Sequence, residues 1–183
     1  YYKLYERALD NNEKNIEVIC VSTFNKNLNE VDSRFVNLKF IRDEEWIFFS
    51  NYFSSKAEAI NTHSQIAVSM YWAKIDVQIR IKATIRKTES SFSDQHFISR
   101  SKSKNALAIS SKQSSVIDSY EAVINSHKKV LTKKNLLKRP TYWGGYSFIP
   151  HYFEFWEGHE SRINKRNVFN KKDGYWNHQI LQP

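Results

Sequence analysis

The stretch that decides the fold is Val77-Gln-Ile-Arg-Ile-Lys-Ala-Thr-Ile-Arg-Lys87. Apolar side chains fall on every second residue, and Gln, Arg, Lys and Thr occupy the positions between them. A period of two places the two sets on opposite faces of an extended chain. The stretch is therefore predicted to be a half-buried strand of an antiparallel sheet.

Shorter apolar and aromatic runs on both sides of this strand predict further strands, at 17–23, 34–40, 46–50, 65–71, 146–149, 152–156, 167–170 and 175–181. Helices are predicted at 1–12, 94–100 and 116–131, and a short one begins where Ser55 and Glu58 have capping-box spacing. The Gly144-Gly145 pair indicates a turn. Many short strands with a few helices predict a mainly β fold, a small barrel with helical additions. We expect residues 1–183 to form a single domain.

The net charge of the chain indicates which classes of ligand it attracts. Lys and Arg number 28 against 19 Asp and Glu, which gives a net charge of +9 and predicts a protein that attracts anions. Nucleic acid is one such anion, and a phosphorylated cofactor or small molecule is another. No apolar run approaches the roughly 20 residues of a membrane helix, and the first residues lack the apolar stretch of a signal peptide.

The cysteine and histidine residues bear on disulfide bonding and metal binding. Cys20 is the single cysteine, so no internal disulfide can form, and a cytoplasmic location is expected. Cys20 is predicted to be a buried strand residue. The histidines lack metal-ligand spacing, so we assign no metal site.

Seven local strings carry more specific information. They are Arg34-Phe-Val-Asn-Leu-Lys39, Phe48-Phe-Ser-Asn51, Ser54-Ser-Lys-Ala57, Trp72 with Gln78-Ile-Arg-Ile81, Ser111-Lys-Gln-Ser-Ser115, Trp143-Gly-Gly-Tyr146, and Glu154-Phe-Trp-Glu-Gly158 followed by Arg162 and Arg166. Their order and spacing resemble those of the pyridoxamine 5'-phosphate oxidase family from about residue 20 to residue 183. Any one string is a weak match, and seven in register are a specific one.

This resemblance implies an FMN-binding split β-barrel that forms a homodimer, with FMN at the dimer interface. It also implies an oxidase that converts pyridoxamine or pyridoxine 5'-phosphate to pyridoxal 5'-phosphate and reduces O2 to hydrogen peroxide. The FMN-binding residues that it implies are Arg34, Phe35, Val36, Asn37, Leu38, Lys39, Phe49, Ser50, Ser55, Lys56, Gln78, Gln113, Ser114, Trp156 and Arg166.

The substrate-binding residues implied by the resemblance are Lys39, His96, Arg100, Lys104, Arg162 and Asn164. Arg162 and Asn164 are the candidate catalytic residues, with Arg162 holding the substrate over the flavin ring. His96, Arg100 and Lys104 are spaced i, i+4, i+8 and would share a face if one helix ran through all three. A helix that breaks at Ser101 is the alternative.

The residue types fit two phosphorylated ligands. Arg34 and Lys56 can supply cations to the FMN phosphate, and a helix that begins near Ser55 would add backbone N–H groups. Gln78 and Gln113 suit the hydrogen-bonding pyrimidine edge of the flavin. Taken alone, however, Gln78 on the polar face of its strand is equally typical of simple solvent exposure.

Five positions depart from the family pattern. Ser55 stands where the family has Arg, which removes one guanidinium and predicts weaker FMN binding. Val77 replaces Arg, His96 replaces Tyr, Lys104 replaces Ser, and Asn164 replaces His. His96 and Lys104 can still bind phosphate, so the pattern favours a phosphorylated ligand.

Two other functions compete with the oxidase. One is an FMN-binding split-barrel oxidoreductase that acts on another aromatic substrate of the phenazine type. The other is a basic β-barrel that binds nucleic acid, but the aromatic residues form no surface stacking motif, so we expect no nucleic-acid partner. Phe49, Trp72 and Trp143 are interpreted as core residues.

Overall fold

The computed structural model describes residues 1–133 and 135–183. The strands are β1 (Val18–Asn25), β2 (Glu30–Arg42), β3 (Glu45–Asn51), β4 (Gln65–Trp72), β5 (Val77–Lys87), β6 (Trp143–Glu157), β7 (Lys165–Lys172) and β8 (Tyr175–Ile180). The helices are α1 (Tyr2–Asp10), α2 (Ser55–Thr62), α3 (Ser90–Ser99), α4 (Lys102–Ser110) and α5 (Tyr120–Leu131), with one 3-10 turn at Ala73–Ile75.

The strands form a closed antiparallel barrel. Six of them pair in the order β3-β2-β1-β4-β5-β6, and β3 pairs with β6 to close the ring. Strands β7 and β8 continue the sheet outward from β6. The predicted fold class, mainly β with helical additions and a split barrel, is confirmed. The single domain stays a prediction.

The barrel core follows from the alternation of β5. Its five apolar side chains are at most 3% exposed, and its polar side chains between them point outward. The facing strands bury their own alternate residues against this row, including Ile19, Val21, Val68 and Met70. Cys20 lies between two inward positions of β1 and is half-buried, so the prediction that it is buried was wrong.

The helices differ from the prediction in three places. Helix α2 is capped by Ser54 without a side-chain cap hydrogen bond, so the capping box at Ser55 and Glu58 does not form. Helix α3 ends at Ser99, and the unpredicted α4 begins at Lys102. The predicted helix 116–131 begins only at Tyr120.

The Gly144-Gly145 pair lies inside β6, so the predicted turn was wrong. The segments 146–149 and 152–156 also form this one continuous strand. A Cβ atom on Gly144 would stand 2.2 Å from the Tyr52 hydroxyl, and one on Gly145 would stand 2.5 Å from Thr88 Oγ1. A larger residue at either position would force these neighbouring side chains to shift, because they pack directly on the strand backbone.

None of the helices in residues 1–133 and 135–183 is long and apolar enough to cross a membrane. Within the same residues, no three His, Cys, Asp or Glu side chains are grouped so that they could hold a metal ion.

Candidate functional site

A cleft of about 780 Å³ gathers most of the predicted site residues. Its walls come from β2, β3, the start of α2, the α3–α4 junction and the loop before α5. The predicted residues that line it are Arg34, Phe35, Val36, Asn37, Lys39, Phe49, Ser50, Ser55, Lys56, His96, Arg100, Lys104, Gln113 and Ser114. Asp32, Ser33, Ser99, Ser101 and Trp143 complete the lining.

Lys56 is a buried cation at one end of the cleft. Its side chain is 4% exposed, and Nζ donates hydrogen bonds to Ser50 Oγ (2.9 Å) and Ser54 Oγ (3.0 Å). Within the described residues, no carboxylate forms an ion pair with it. Burial, and then the Arg34 charge, lower the pKa of Lys56 from 10.5 to about 8, although Asp32 acts to raise it.

Arg34, on β2, lies near Lys56 of α2, and its guanidinium is already hydrogen-bonded within the protein. Its Nη1 donates to the Val21 carbonyl (3.2 Å) and to Thr23 Oγ1 (2.7 Å), and its Nη2 forms an ion pair with Asp32. The guanidinium is thus held against the barrel wall. Arg34 and Lys56 together form the first cationic cluster of the cleft.

The loop before α5 closes over this first cluster. Gln113 Oε1 accepts a hydrogen bond from the Asn51 backbone N–H, and Ser114 Oγ accepts one from the Ser55 N–H at the first turn of α2, both at 3.4 Å. Ser114 adopts a φ of 72°. Gln113 therefore lies at the α2 end of the cleft, whereas Gln78 does not line the cleft of the same protomer.

An aromatic wall of stacked rings also lines the cleft. The His96 ring stacks on Phe49 with centroids 3.9 Å apart, and Phe49 stacks on Trp143 at 5.3 Å. Phe49 and Trp143 were interpreted as core residues: Trp143 is buried, at 7% exposed, Phe49 is half-buried, and both also line the cleft. Trp72 is a core residue, at 2% exposed.

Lys39, Arg100 and Lys104 form the second cationic cluster, and His96 lies among them. Burial comes first, followed by the charges of Arg100, Lys39 and Lys104, and together they lower the pKa of His96 to about 4. The histidine is therefore neutral near pH 7 in the protein alone. Lys39 reaches the cleft because β2 has a bulge between Leu38 and Phe40, and a bulge redirects the side chain next to it.

Arg100 is the most constrained member of the second cluster. Its guanidinium stacks over the Trp143 ring at 4.2 Å, and Nη2 donates to the Lys104 carbonyl at 3.2 Å. Its Nη1 is buried and has no hydrogen-bond partner in the described part of the chain. Because α3 ends at Ser99, His96, Arg100 and Lys104 do not share one helix face as predicted. All three nevertheless line the same cleft.

Six predicted residues lie outside the cleft of the same protomer. The Leu38 side chain is 6% exposed and belongs to the barrel core. Gln78, Trp156 and Arg166 pair directly across β5, β6 and β7, so they form one row on the sheet. Arg162 and Asn164 lie in the loop between β6 and β7.

Glu154 holds Arg166 in this row, and the prediction from sequence missed its role. Its carboxylate is 2% exposed and accepts hydrogen bonds from Arg166 Nε (2.9 Å), Arg80 Nη1 (2.8 Å) and the Tyr152 hydroxyl (3.0 Å). Burial acts to raise the pKa of Glu154, but these hydrogen bonds and the two arginine charges outweigh it and lower the pKa.

The loop with Arg162 and Asn164 is fixed at its start. Gly158 N–H donates to the Asp76 carbonyl at 2.9 Å, and a Cβ at Gly158 would stand 1.6 Å from an Asp76 carboxylate oxygen. Asn164 Oδ1 accepts a hydrogen bond from the His159 N–H at 3.1 Å. Arg162 adopts a φ of 63°, which is uncommon for a residue other than glycine.

The fold and the cleft define a barrel protein with a cleft lined by cations and stacked aromatic rings. Residues 7–134 match the family model described as pyridoxamine 5'-phosphate oxidase. Residues 143–183 match the model described as the pyridoxine 5'-phosphate oxidase C-terminal dimerisation region. The chain therefore belongs to the pyridoxamine 5'-phosphate oxidase family, a family of oxidoreductases.

Curated relatives agree with this assignment. The chain is 33% identical over 153 residues to the pyridoxine/pyridoxamine 5'-phosphate oxidase of Haemophilus influenzae, a match that covers 83% of this chain and 73% of the relative. It is 34% identical over 152 residues to the enzyme of the same name from Actinobacillus pleuropneumoniae, covering 82% and 73%. The family indicates a flavin cofactor, and the matched dimerisation region indicates a homodimer.

Solved structures show the same fold. PhzG from Burkholderia lata in complex with tetrahydrophenazine-1-carboxylic acid superposes with a TM-score of 0.94 at 24% identity, covering 100% of this chain and 90% of that one. A pyridoxamine 5'-phosphate oxidase-related, FMN-binding protein from Nostoc punctiforme has a TM-score of 0.81 at 11% identity, covering 99% and 96%. At these identities the likeness establishes the fold and leaves the substrate open.

Proposed function

We propose that this protein is an FMN-dependent oxidase that converts pyridoxamine or pyridoxine 5'-phosphate to pyridoxal 5'-phosphate and reduces O2 to hydrogen peroxide. The observation that carries the proposal is the presence of two cationic clusters and an aromatic wall in one cleft. A cleft with two separate cationic clusters suits two phosphorylated aromatic ligands bound side by side.

The first cluster fits the FMN phosphate. Lys56 is buried with only hydroxyl partners, so its charge lacks the anion that a buried ammonium needs. The backbone N–H groups at the start of α2 and the Ser50 and Ser114 hydroxyls surround the same end of the cleft. In this proposal Lys56 and Arg34 hold the phosphate, and the neighbouring residues of β2 lie along the rest of the cofactor.

The second cluster fits the substrate phosphate. The buried, unpartnered Nη1 of Arg100 is a strong hydrogen-bond donor without an acceptor, and a phosphate oxygen would satisfy it. Lys104 adds charge to the same part of the cleft, and so does Lys39, whose Nζ also forms an ion pair with Glu17 at 3.2 Å. Arg100 is held rigidly by its stacking on Trp143, so its planar donors are already oriented.

The remaining predicted residues fit a site that two copies of the chain share. Gln78, Trp156 and Arg166 form one row, and Arg162 and Asn164 follow Trp156 in the next loop. We assign this group to the cleft of the second copy, where it completes the flavin site and holds the substrate. Four of these five residues lie in the matched dimerisation region, 143–183.

The residues of the chain act by positioning. FMN held by these residues would supply the redox chemistry, hydride acceptance from the substrate and electron transfer to dioxygen. The two cationic clusters fix both phosphates, and Arg162 orients the substrate ring, so the reacting atoms meet in a fixed geometry. Well-oriented reactants of this kind can save about 7–11 kcal/mol of the barrier.

Oxygen consumption by the FMN-loaded protein tests the proposal. Pyridoxamine 5'-phosphate, pyridoxine 5'-phosphate and the two unphosphorylated vitamers are compared, and pyridoxal 5'-phosphate is followed by its absorbance. We expect turnover of a phosphorylated vitamer and little of its unphosphorylated form. A yellow protein that oxidises a reduced phenazine carboxylic acid but neither phosphorylated vitamer would establish the phenazine-type function instead. A protein that stays colourless after FMN addition would refute both.

A further inference from the structure

Asp32 places a negative charge at the proposed phosphate end of the cleft. It lies two residues before Arg34 on β2, and residues at i and i+2 of a strand share a face. Its carboxylate lines the cleft and forms an ion pair with Arg34 Nη2. The Asp32 charge also reaches Lys56, whose pKa it acts to raise.

This ion pair takes up one of the Arg34 donors that the barrel wall leaves for a ligand and places a negative charge next to the others. Arg34 Nη1 already donates to Val21 and Thr23, and Nη2 is bonded to Asp32. A phosphate bound at Arg34 therefore shares the guanidinium with a carboxylate of the same sign. The Arg34 side chain is 18% exposed and that of Asp32 is 63% exposed, so the carboxylate has room to turn into solvent when a ligand binds.

We propose that Asp32 sets the preference of this cleft between phosphorylated and unphosphorylated flavin, because it competes with the ligand phosphate for Arg34. The inference rests on the proposed flavin site and adds a determinant of cofactor specificity to it. Asp32 lowers the affinity for FMN and leaves the affinity for riboflavin unchanged, since riboflavin brings no phosphate to Arg34.

The size of the effect follows from the exposure of the pair. A hydrogen bond to a charged group is strong when it is shielded from water, and an exposed ion pair is much weaker because water and salt screen it. Asp32 is more than half exposed, so the competition is partly screened. We expect removal of its charge to tighten FMN binding by about threefold to tenfold.

The test compares FMN and riboflavin binding to the wild-type protein and to Asp32→Asn by fluorescence titration at low ionic strength. Asp43→Asn is the matched control: it makes the same change in net charge at an exposed turn residue with a φ of 52°, a conformation that asparagine tolerates. We expect tighter FMN binding and unchanged riboflavin binding in Asp32→Asn only. In an Arg34→Gln background the Asp32→Asn gain becomes much smaller.

The outcomes separate this inference from the proposed function. Wild-type protein that binds FMN, together with an unchanged FMN-to-riboflavin affinity ratio in Asp32→Asn and in the smaller variant Asp32→Ser, overturns the role of Asp32 alone. An equal gain for both flavins also overturns it, because the effect would not involve the phosphate. Absence of any flavin binding to the wild type overturns the flavin site and this inference together.

Discussion

Replacement of Lys56 by methionine should stabilise the flavin-free protein and weaken FMN binding at the same time. Lys56 is 4% exposed, and its ammonium has two hydroxyl partners and no paired carboxylate within the described residues. The difference between its usual pKa of 10.5 and about 8 corresponds to about 3 kcal/mol against the charged form. Methionine has a similar length and no charge to bury.

The expected gain in unfolding free energy at pH 7 is about 1–3 kcal/mol, because the two lost hydrogen bonds offset part of the relieved burial. For a chain of this length, that gain raises Tm by roughly 2–10 °C. The loss of a charged hydrogen bond to the phosphate weakens FMN binding by about 1.5–3 kcal/mol, roughly tenfold to more than a hundredfold.

The pH dependence has a definite sign. The unfolded chain keeps Lys56 protonated up to pH 10.5 and the folded chain only up to about pH 8, so the unfolded state binds more protons in this window. The cost of burying the charge is therefore fully present below pH 8 and is relieved as the pH rises toward 10.5. FMN affinity should fall as the pH rises above 8, and Lys56→Met should remove that fall.

Thermal unfolding of the flavin-free proteins and FMN titrations between pH 7 and 10 measure these effects. Lys14→Met, at an exposed position, is the control for the loss of one positive charge. A Lys56→Met protein that is less stable than the wild type at pH 7 would refute the argument from burial. Unchanged FMN affinity would refute the assignment of Lys56 to the phosphate.

Three further substitutions have defined outcomes. Ser55→Arg should tighten FMN binding by up to about 1.5–3 kcal/mol in a fluorescence titration, because it adds a guanidinium at the cleft wall next to α2. The wild type should lose stability as the pH falls from 6.5 to 4, because His96 stays neutral in the fold down to about pH 4 while the unfolded chain takes up a proton. In His96→Tyr this loss should be smaller by about 1–3 kcal/mol, and denaturation at several pH values measures it. Gly158→Ala should lower kcat/KM by about tenfold to a hundredfold with little change in FMN affinity. The added Cβ collides with the Asp76 carboxylate and displaces the Arg162 loop, and steady-state kinetics measure the loss of kcat/KM.

Each of these substitutions has a control or a contradicting outcome. Weaker FMN binding in Ser55→Arg would mean that this position does not face the phosphate. If the free energy of unfolding falls with pH in the same way in the wild type and in His96→Tyr, other groups than His96 cause the acid sensitivity. Gly174→Ala is the control for a general effect of replacing glycine. The added Cβ meets nothing within 4 Å, but the alanine has to adopt a φ of +85°, so the substitution should lower stability without changing kcat/KM.

The local patterns were sufficient for most of the strands. The alternation from Val77 to Lys87 predicted β5 with its observed bounds, since a half-buried strand has to alternate. The seven strings in register predicted the family, which the family models confirm. Capping and helix breaks were less predictable: at the start of α2 the Ser55 N–H donates to Ser114 Oγ, a residue far along the chain, and no local pattern shows this contact.

The chain by itself determined which residue types are present and which local structures they adopt, and tertiary structure alone decided which of them meet. Phe49 and Trp143 look like core residues in any pattern of hydrophobicity, and only the closure of the β3–β6 seam turns their rings toward the cleft. The Arg34 pair with Asp32 could have been anticipated from their spacing on one strand face, but the approach of both to Lys56 could not. The distribution of Gln78, Trp156 and Arg166 along a separate row is likewise a property of strand pairing. Contacts between residues far apart in sequence depend on register and barrel closure, and no local pattern encodes these directly.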